Sequence, residues 1–180
     1  PVHLLRLQPA PQPFEPNEVN GMREFLDAVV VTGAGRGIGS AVARRIAENG
    51  VPVLCISRTR TCERLAAELT SEGANAHALV VDLSSPSSTG EQVAAWLASV
   101  PYQRIGAVLA AGVLGEPGGL LGSNLDDWDY QYRVNVLGNL AVVKALLPRM
   151  LDARFGRIIA FAGGGAAYAN PMFSGYSLSK

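Results

Sequence analysis

Cysteine, net charge, aromatics and long apolar runs are all scarce in this sequence. Two cysteines, Cys55 and Cys62, in 180 residues are too few for a disulfide framework. Cys55 sits near the end of an apolar run and Cys62 opens an expected helix, so the reading is two reduced thiols in a cytoplasmic protein. Fifteen basic and fifteen acidic side chains cancel. That balance excludes the broad field that gathers nucleic acid or an anionic membrane surface. No uninterrupted apolar stretch approaches the roughly 20 residues of a membrane span, and Pro1–Leu7 lacks the length and cleavage pattern of a signal peptide. No metal site is expected.

What is present is a globular composition, 48% apolar, in a chain long enough for one domain with a real core. Residues 1–27 stand apart. Pro9, Pro11, Pro13 and Pro16 remove donors and fix the backbone, which predicts an extended arm. The domain then runs over 28–180. Apolar runs at Ala28–Val31, Val51–Ile56, Ala76–Val81, Ile105–Leu109 and Arg157–Phe161 alternate with helical patterns at Ile38–Asn49, Arg60–Glu72, Ser85–Ser99 and Leu125–Asp152. Because the strands read as continuous apolar runs, both faces should be covered. The expectation is an α/β fold, a doubly wound parallel sheet with helices on each side.

The turn after the first strand is Thr32-Gly33-Ala34-Gly35-Arg36-Gly37-Ile38-Gly39. A phosphate needs backbone N–H groups at a helix start and no Cβ in its way, and this turn joins an apolar strand to an amphipathic helix. Its T-G-x-x-x-G-x-G spacing, with Tyr176-x-x-x-Lys180 at the other end of the chain, resembles the short-chain dehydrogenase/reductase family. The resemblance covers Ala28–Lys180 and implies a Rossmann-like fold with a nicotinamide cofactor.

Ser57-Arg58-Thr59-Arg60 ends the second strand, and no acid appears before Glu63. A carboxylate there would hold the ribose hydroxyls of NAD(H). A guanidinium instead grips a 2′-phosphate at two points. Arg58, with Arg36 in the glycine loop, therefore favours NADP(H). The resemblance further implies that Asp82-Leu83 meets the adenine. Ala110-Ala111-Gly112 would pass under the cofactor where the family usually carries Asn-Asn-Ala-Gly, so the two asparagines are absent.

Residues four apart on a helix share a face. A free tyrosine, with a pKa of about 10, is a poor acid or base near neutrality, and a neighbouring ammonium favours its phenolate. The resemblance makes Tyr176 the acid/base and Lys180 its partner, also binding the nicotinamide ribose. Asn135, a polar residue inside the long helix, would help hold a water and the lysine in a proton relay. Counting thirteen residues back from Tyr176 gives Gly163, where the family carries a serine that stabilises the substrate oxygen. Losing one such donor commonly costs about 10²–10³ in rate.

The sequence reading is thus an NADP(H)-dependent oxidoreductase acting on a carbonyl or alcohol substrate, expected as a homodimer or homotetramer by family resemblance. Two alternatives stand beside it: an NADP(H)-binding protein of this fold with weak or no turnover, and a fragment completed by another chain. The sheet and substrate loop that follow the lysine in the family have no counterpart here. A truncation after the fifth strand is therefore expected.

Overall fold

The computed structural model describes residues 25–164, 168 and 170–180. Most of the expected arm lies outside the described residues. Phe25–Asp27, its last three, instead belong to the domain. Leu26 packs on the core, and the Asp27 carboxylate accepts from Gln103 N and Arg104 N at 2.9 and 2.8 Å.

Five parallel strands form one sheet. They are β1 Ala28–Thr32, β2 Val53–Ser57, β3 Ala76–Val80, β4 Ile105–Leu109 and β5 Gly156–Ala160, in the order β3-β2-β1-β4-β5. Each lies within two residues of its expected place. The connecting helices are α1 Gly37–Glu48, α2 Thr61–Ser71, α3 Pro86–Ala98 and the long α4, Leu125–Asp152. A short α5, Ser174–Leu178, follows β5.

Alternation along β1 assigns the two faces. Val30 joins Val93 and Leu97 of α3 and Val142, Leu146 and Met150 of α4 in one cluster. Val29 and Val31 point the other way, to Ala43 and Ile46 of α1 and Leu65 and Leu69 of α2. The sheet is therefore doubly wound. Its order reverses between β1 and β4, so a crevice opens there at the carboxyl ends of the strands.

Three features depart from expectation. Full coverage holds for β1, β2 and β4, whose residues are all buried. It does not hold for the two edge strands: β3 is only partly buried, and on β5 Ile158 and Ile159 are 47% and 55% exposed. Second, α4 is not α-helical throughout, because Arg133–Gly138 forms a wider π turn. Third, α4 has 28 residues and a mean hydropathy of 1.3 over an 18-residue window, enough by length and composition to cross a membrane. Uninterrupted apolar runs do not reveal this, since Lys144 and Arg149 break them. The buried Val142, Leu146 and Met150 give its apolar side a partner in the sheet.

Asn124 caps α4, its side-chain oxygen accepting from Asp126 N at 2.9 Å. Asp126 and Asp127 complement the positive end of the helix. In the π turn, Gly138 lets α4 approach the loop after β3 so closely that a Cβ there would lie 2.3 Å from Leu83 O.

Candidate functional site

A cleft of about 690 Å³ occupies the crevice between β1 and β4. Its lining includes every residue of the expected phosphate and adenosine sites: Gly33, Gly35, Arg36, Gly37, Ile38, Gly39, Ser57, Arg58, Asp82, Leu83, Ala110, Ala111 and Gly112. Thr59, Thr61, Arg64, Val113, Tyr130 and Val134 also line it. Those six were not anticipated. They come from different elements and share no motif spacing.

The floor is set by close backbone approach. Gly33 has φ +67°, and a Cβ on it would fall 2.8 Å from the Ala111 backbone. Gly37 has φ +57° with nothing within 4 Å of a built Cβ, so a side chain there would stand in the cleft. Arg36 is the N-cap residue of α1 and makes no side-chain cap bond, and the first turn of α1 has no acid. The open N–H groups at this helix start suit an anion. A dinucleotide diphosphate therefore fits the loop by shape and by charge.

At the adenosine end three arginines, Arg36, Arg58 and Arg64, line the cleft with a single acid, Asp82. Asp82 is exposed and its Oδ1 accepts from Ser84 N at 2.9 Å. Glu63 does not line the cleft and instead lies 3.7 Å from Arg60. No acid therefore takes the position after β2. The residues present fit a 2′-phosphate.

At the other end, Tyr176 and Lys180 converge on Gly163. A Cβ at Gly163 would lie 3.2 Å from Tyr176 Cε1 and 3.1 Å from Lys180 Cβ. One at Gly112 would lie 3.8 Å from Lys180 Nζ and 3.4 Å from Asn135 Oδ1. The lysine thus reaches the cleft floor. The expected shared helical face holds with one change: α5 ends at Leu178, and Lys180 follows its cap residue, Ser179. Partial burial lowers the pKa of Lys180. Neither Ser174, whose hydroxyl donates to Pro171 O, nor Tyr168, 79% exposed, fills the place of the missing serine.

Asn135 is buried, and its side chain is fully engaged. Oδ1 accepts from Val113 N at 2.7 Å. Nδ2 donates to Val113 O at 2.9 Å and to Ser179 Oγ at 2.8 Å. Ser179 Oγ in turn donates to Tyr176 O at 2.8 Å. Asn135 thereby ties the loop after β4 to the turn that carries Lys180.

Asn139, one turn on and buried, escaped sequence reasoning; its spacing of four from Asn135 was the one signal the sequence carried. Its Oδ1 accepts from Thr32 Oγ1 at 2.8 Å. Its Nδ2 lies 3.1–3.3 Å from Ala111 O, Val134 O and Asn135 O. Thr32 Oγ1 also accepts from Ala111 N at 3.1 Å. Asn139 joins β1, the loop after β4 and the π turn from the helix side, in a region where the asparagines expected after β4 are missing.

A second cavity, about 490 Å³, lies at the opposite ends of the strands and is lined by Leu26, Asp27, Pro52, Pro101 and Tyr102. Its one charged group, Asp27, is already satisfied by backbone donors. Among the described residues no three His, Cys, Asp or Glu side chains gather as a metal site would require.

Comparison with known proteins agrees with this geometry. The chain is 30% identical over 152 residues to oxidoreductase UcpA of Escherichia coli K12, covering 84% of this chain and 57% of that protein. Gluconate 5-dehydrogenase from Burkholderia cenocepacia, solved with NADP and tartrate, superposes with a TM-score of 0.78 at 28% identity, over 85% of this chain and 60% of that one. NAD⁺-bound xylitol dehydrogenase gives 0.78 at 28%, over 86% and 59%. The chain thus spans a little over half the length of UcpA. The short chain dehydrogenase family profile matches residues 27–180, and the chain belongs to that family.

Proposed function

We propose that this chain forms the cofactor-binding and proton-transfer part of an NADP(H)-dependent oxidoreductase acting on a carbonyl or alcohol. The observation that carries this reading is the convergence of Tyr176 and Lys180 on Gly163, with Lys180 Nζ beside Gly112 in the cleft floor. A bound nicotinamide would supply or accept the hydride. The glycine loop and the start of α1 bind its diphosphate, and Arg58 and Arg36 bind the 2′-phosphate. The hydroxyl of Tyr176 gives a proton to the substrate oxygen during reduction and takes it back during oxidation. The ammonium of Lys180 attracts the negative charge left on the phenol oxygen and binds the ribose. Asn135 positions both through Ser179. Gly163 offers no side-chain donor to the substrate oxygen, so polarisation of that oxygen falls to Tyr176.

The adenosine end supports NADP(H) over NAD(H), because its three arginines have no acid after β2 beside them. A cytoplasmic location, no role for nucleic acid or membrane, and a homodimer or homotetramer complete the reading. Leu140, Leu147 and Leu151 on the outer side of α4, 40–61% exposed, offer a surface for self-association.

Gly163 favours a second reading, an NADP(H)-binding protein with weak or no turnover. Exposed Ile158 and Ile159 on β5 favour a third, a sheet completed by further chain or by a partner. NADPH oxidation over a panel of ketones and aldehydes, with wild type and Tyr176→Phe, separates them. Turnover abolished by Tyr176→Phe supports the oxidoreductase. Tight NADPH binding without turnover supports the second reading. No binding by a monomer that gains it on assembly supports the third.

A further inference from the structure

Arg58 donates through Nη1 to the phenol oxygen of Tyr130. The two residues lie 72 apart in sequence and join the loop after β2 to α4, both lining the cleft. They differ in how firmly they are held. The Tyr130 ring packs against the cluster that contains Leu83 and Val134, which fixes where its hydroxyl stands. Arg58 is exposed, and among the described residues this bond is the one polar contact that restrains it. An exposed arginine otherwise spreads over many rotamers, and ordering it on binding lowers affinity.

We propose that Tyr130 is a specificity-determining residue that presets Arg58 for the 2′-phosphate of the cofactor. This rests on the NADP(H) reading above. The chemistry of a phenol suits the task. It accepts one of the five guanidinium N–H groups and leaves four for an anion. It adds no charge of its own. A carboxylate at the same place would hold Arg58 as firmly, but it would cancel the positive charge and repel a phosphate.

The probes are 2′,5′-ADP and 5′-AMP, which differ only in the 2′-phosphate, titrated calorimetrically into the full chain. Wild type is expected to bind 2′,5′-ADP more tightly. Tyr130→Phe should weaken 2′,5′-ADP by roughly three- to tenfold, the factor for ordering one long side chain, and leave 5′-AMP unchanged. In an Arg58→Ala background the same change should do nothing further. If wild type shows no preference, the NADP(H) reading falls and this proposal with it. If wild type prefers 2′,5′-ADP and Tyr130→Phe keeps the full preference, the cofactor reading stands and the role of Tyr130 is overturned. Equal losses on both ligands would make Tyr130 a wall of the base site. A gain on 2′,5′-ADP would make it a competitor for Arg58. A further loss in the Arg58→Ala background would mean the effect bypasses Arg58. Each of these three also overturns the proposal.

Discussion

Thr32 at the end of β1 donates its hydroxyl hydrogen to Asn139 of α4 at 2.8 Å, and both side chains are buried. The bond closes a circuit through Ala111, whose N–H and C=O each meet one of the two side chains. Removing one member leaves buried polar groups unpaired. Asn139→Ala should therefore destabilise the fold by about 1–3 kcal/mol, read by urea denaturation. Combined with Thr32→Val the losses should be less than additive, as expected of groups in one network. Full additivity would show that the circuit carries no coupling.

Gly163→Ser offers a hydroxyl where the family has one, and Gly163→Ala is its control. Both introduce a Cβ about 3.1 Å from Lys180 Cβ and 3.2 Å from Tyr176 Cε1, so both require those side chains to give by a few tenths of an ångström. The serine variant should reduce carbonyls faster than wild type, toward the roughly 10²–10³ of a single oxyanion donor. The alanine variant should not. Equal behaviour of the two would assign any change to crowding.

Two titrations act in opposite senses at alkaline pH. Burial, then the neighbouring Cys62, pushes the Cys55 thiol from 9.0 up to about 12. Above pH 9 the unfolded chain loses this proton first, so the contribution of Cys55 to stability declines between about 9 and 12. Lys180 is lowered by burial. The unfolded chain holds that proton longer, so its cost is relieved as pH rises from the folded value toward 10.5. Cys55→Ala should remove the part of the alkaline decline in stability that sets in above pH 9, and Lys180→Met should remove the rise that ends near pH 10.5. Denaturation curves across this range measure both. In the folded protein Cys55 should also resist alkylation at pH 8 and react once urea unfolds the chain.

Gly138→Ala places a methyl 2.3 Å from Leu83 O. That atom is backbone, so α4 must move away from the loop after β3. A loss of about 1–3 kcal/mol is expected, with weaker binding of 5′-AMP because Leu83 lines the cleft. Unchanged stability would mean the helix shifts freely at this crossing.

The sheet and the phosphate loop were legible because their signals are local. Apolar runs mark β1 to β5, and Gly33, Gly37 and Gly39 answer to backbone geometry that no other residue meets as easily. The pairing of Tyr176 with Lys180 was also legible from spacing, although the helix stops short of the lysine. Arg58 could be read as a phosphate ligand, but not its tie to Tyr130, which depends on how a distant helix packs. Asn139 was hidden for the same reason: its partners Thr32 and Ala111 come from two other segments. The exposed faces of β5 follow from its place at the sheet edge, which an apolar run does not disclose.

The widened turn at Arg133–Gly138 also sets the phase of α4. Its C-terminal half turns Val142, Leu146 and Met150 to the sheet, while its N-terminal half turns Tyr130 to the cleft. One residue of an α-helix advances about 100° around the axis. Rewinding the widened turn as regular α-helix, with no residue removed, would crank Leu125–Tyr132 around by about that angle. Tyr130 would swing off the lining, with the sheet-facing half left in place. The two halves of α4 are therefore geared to one another, and the turn between them sets the ratio.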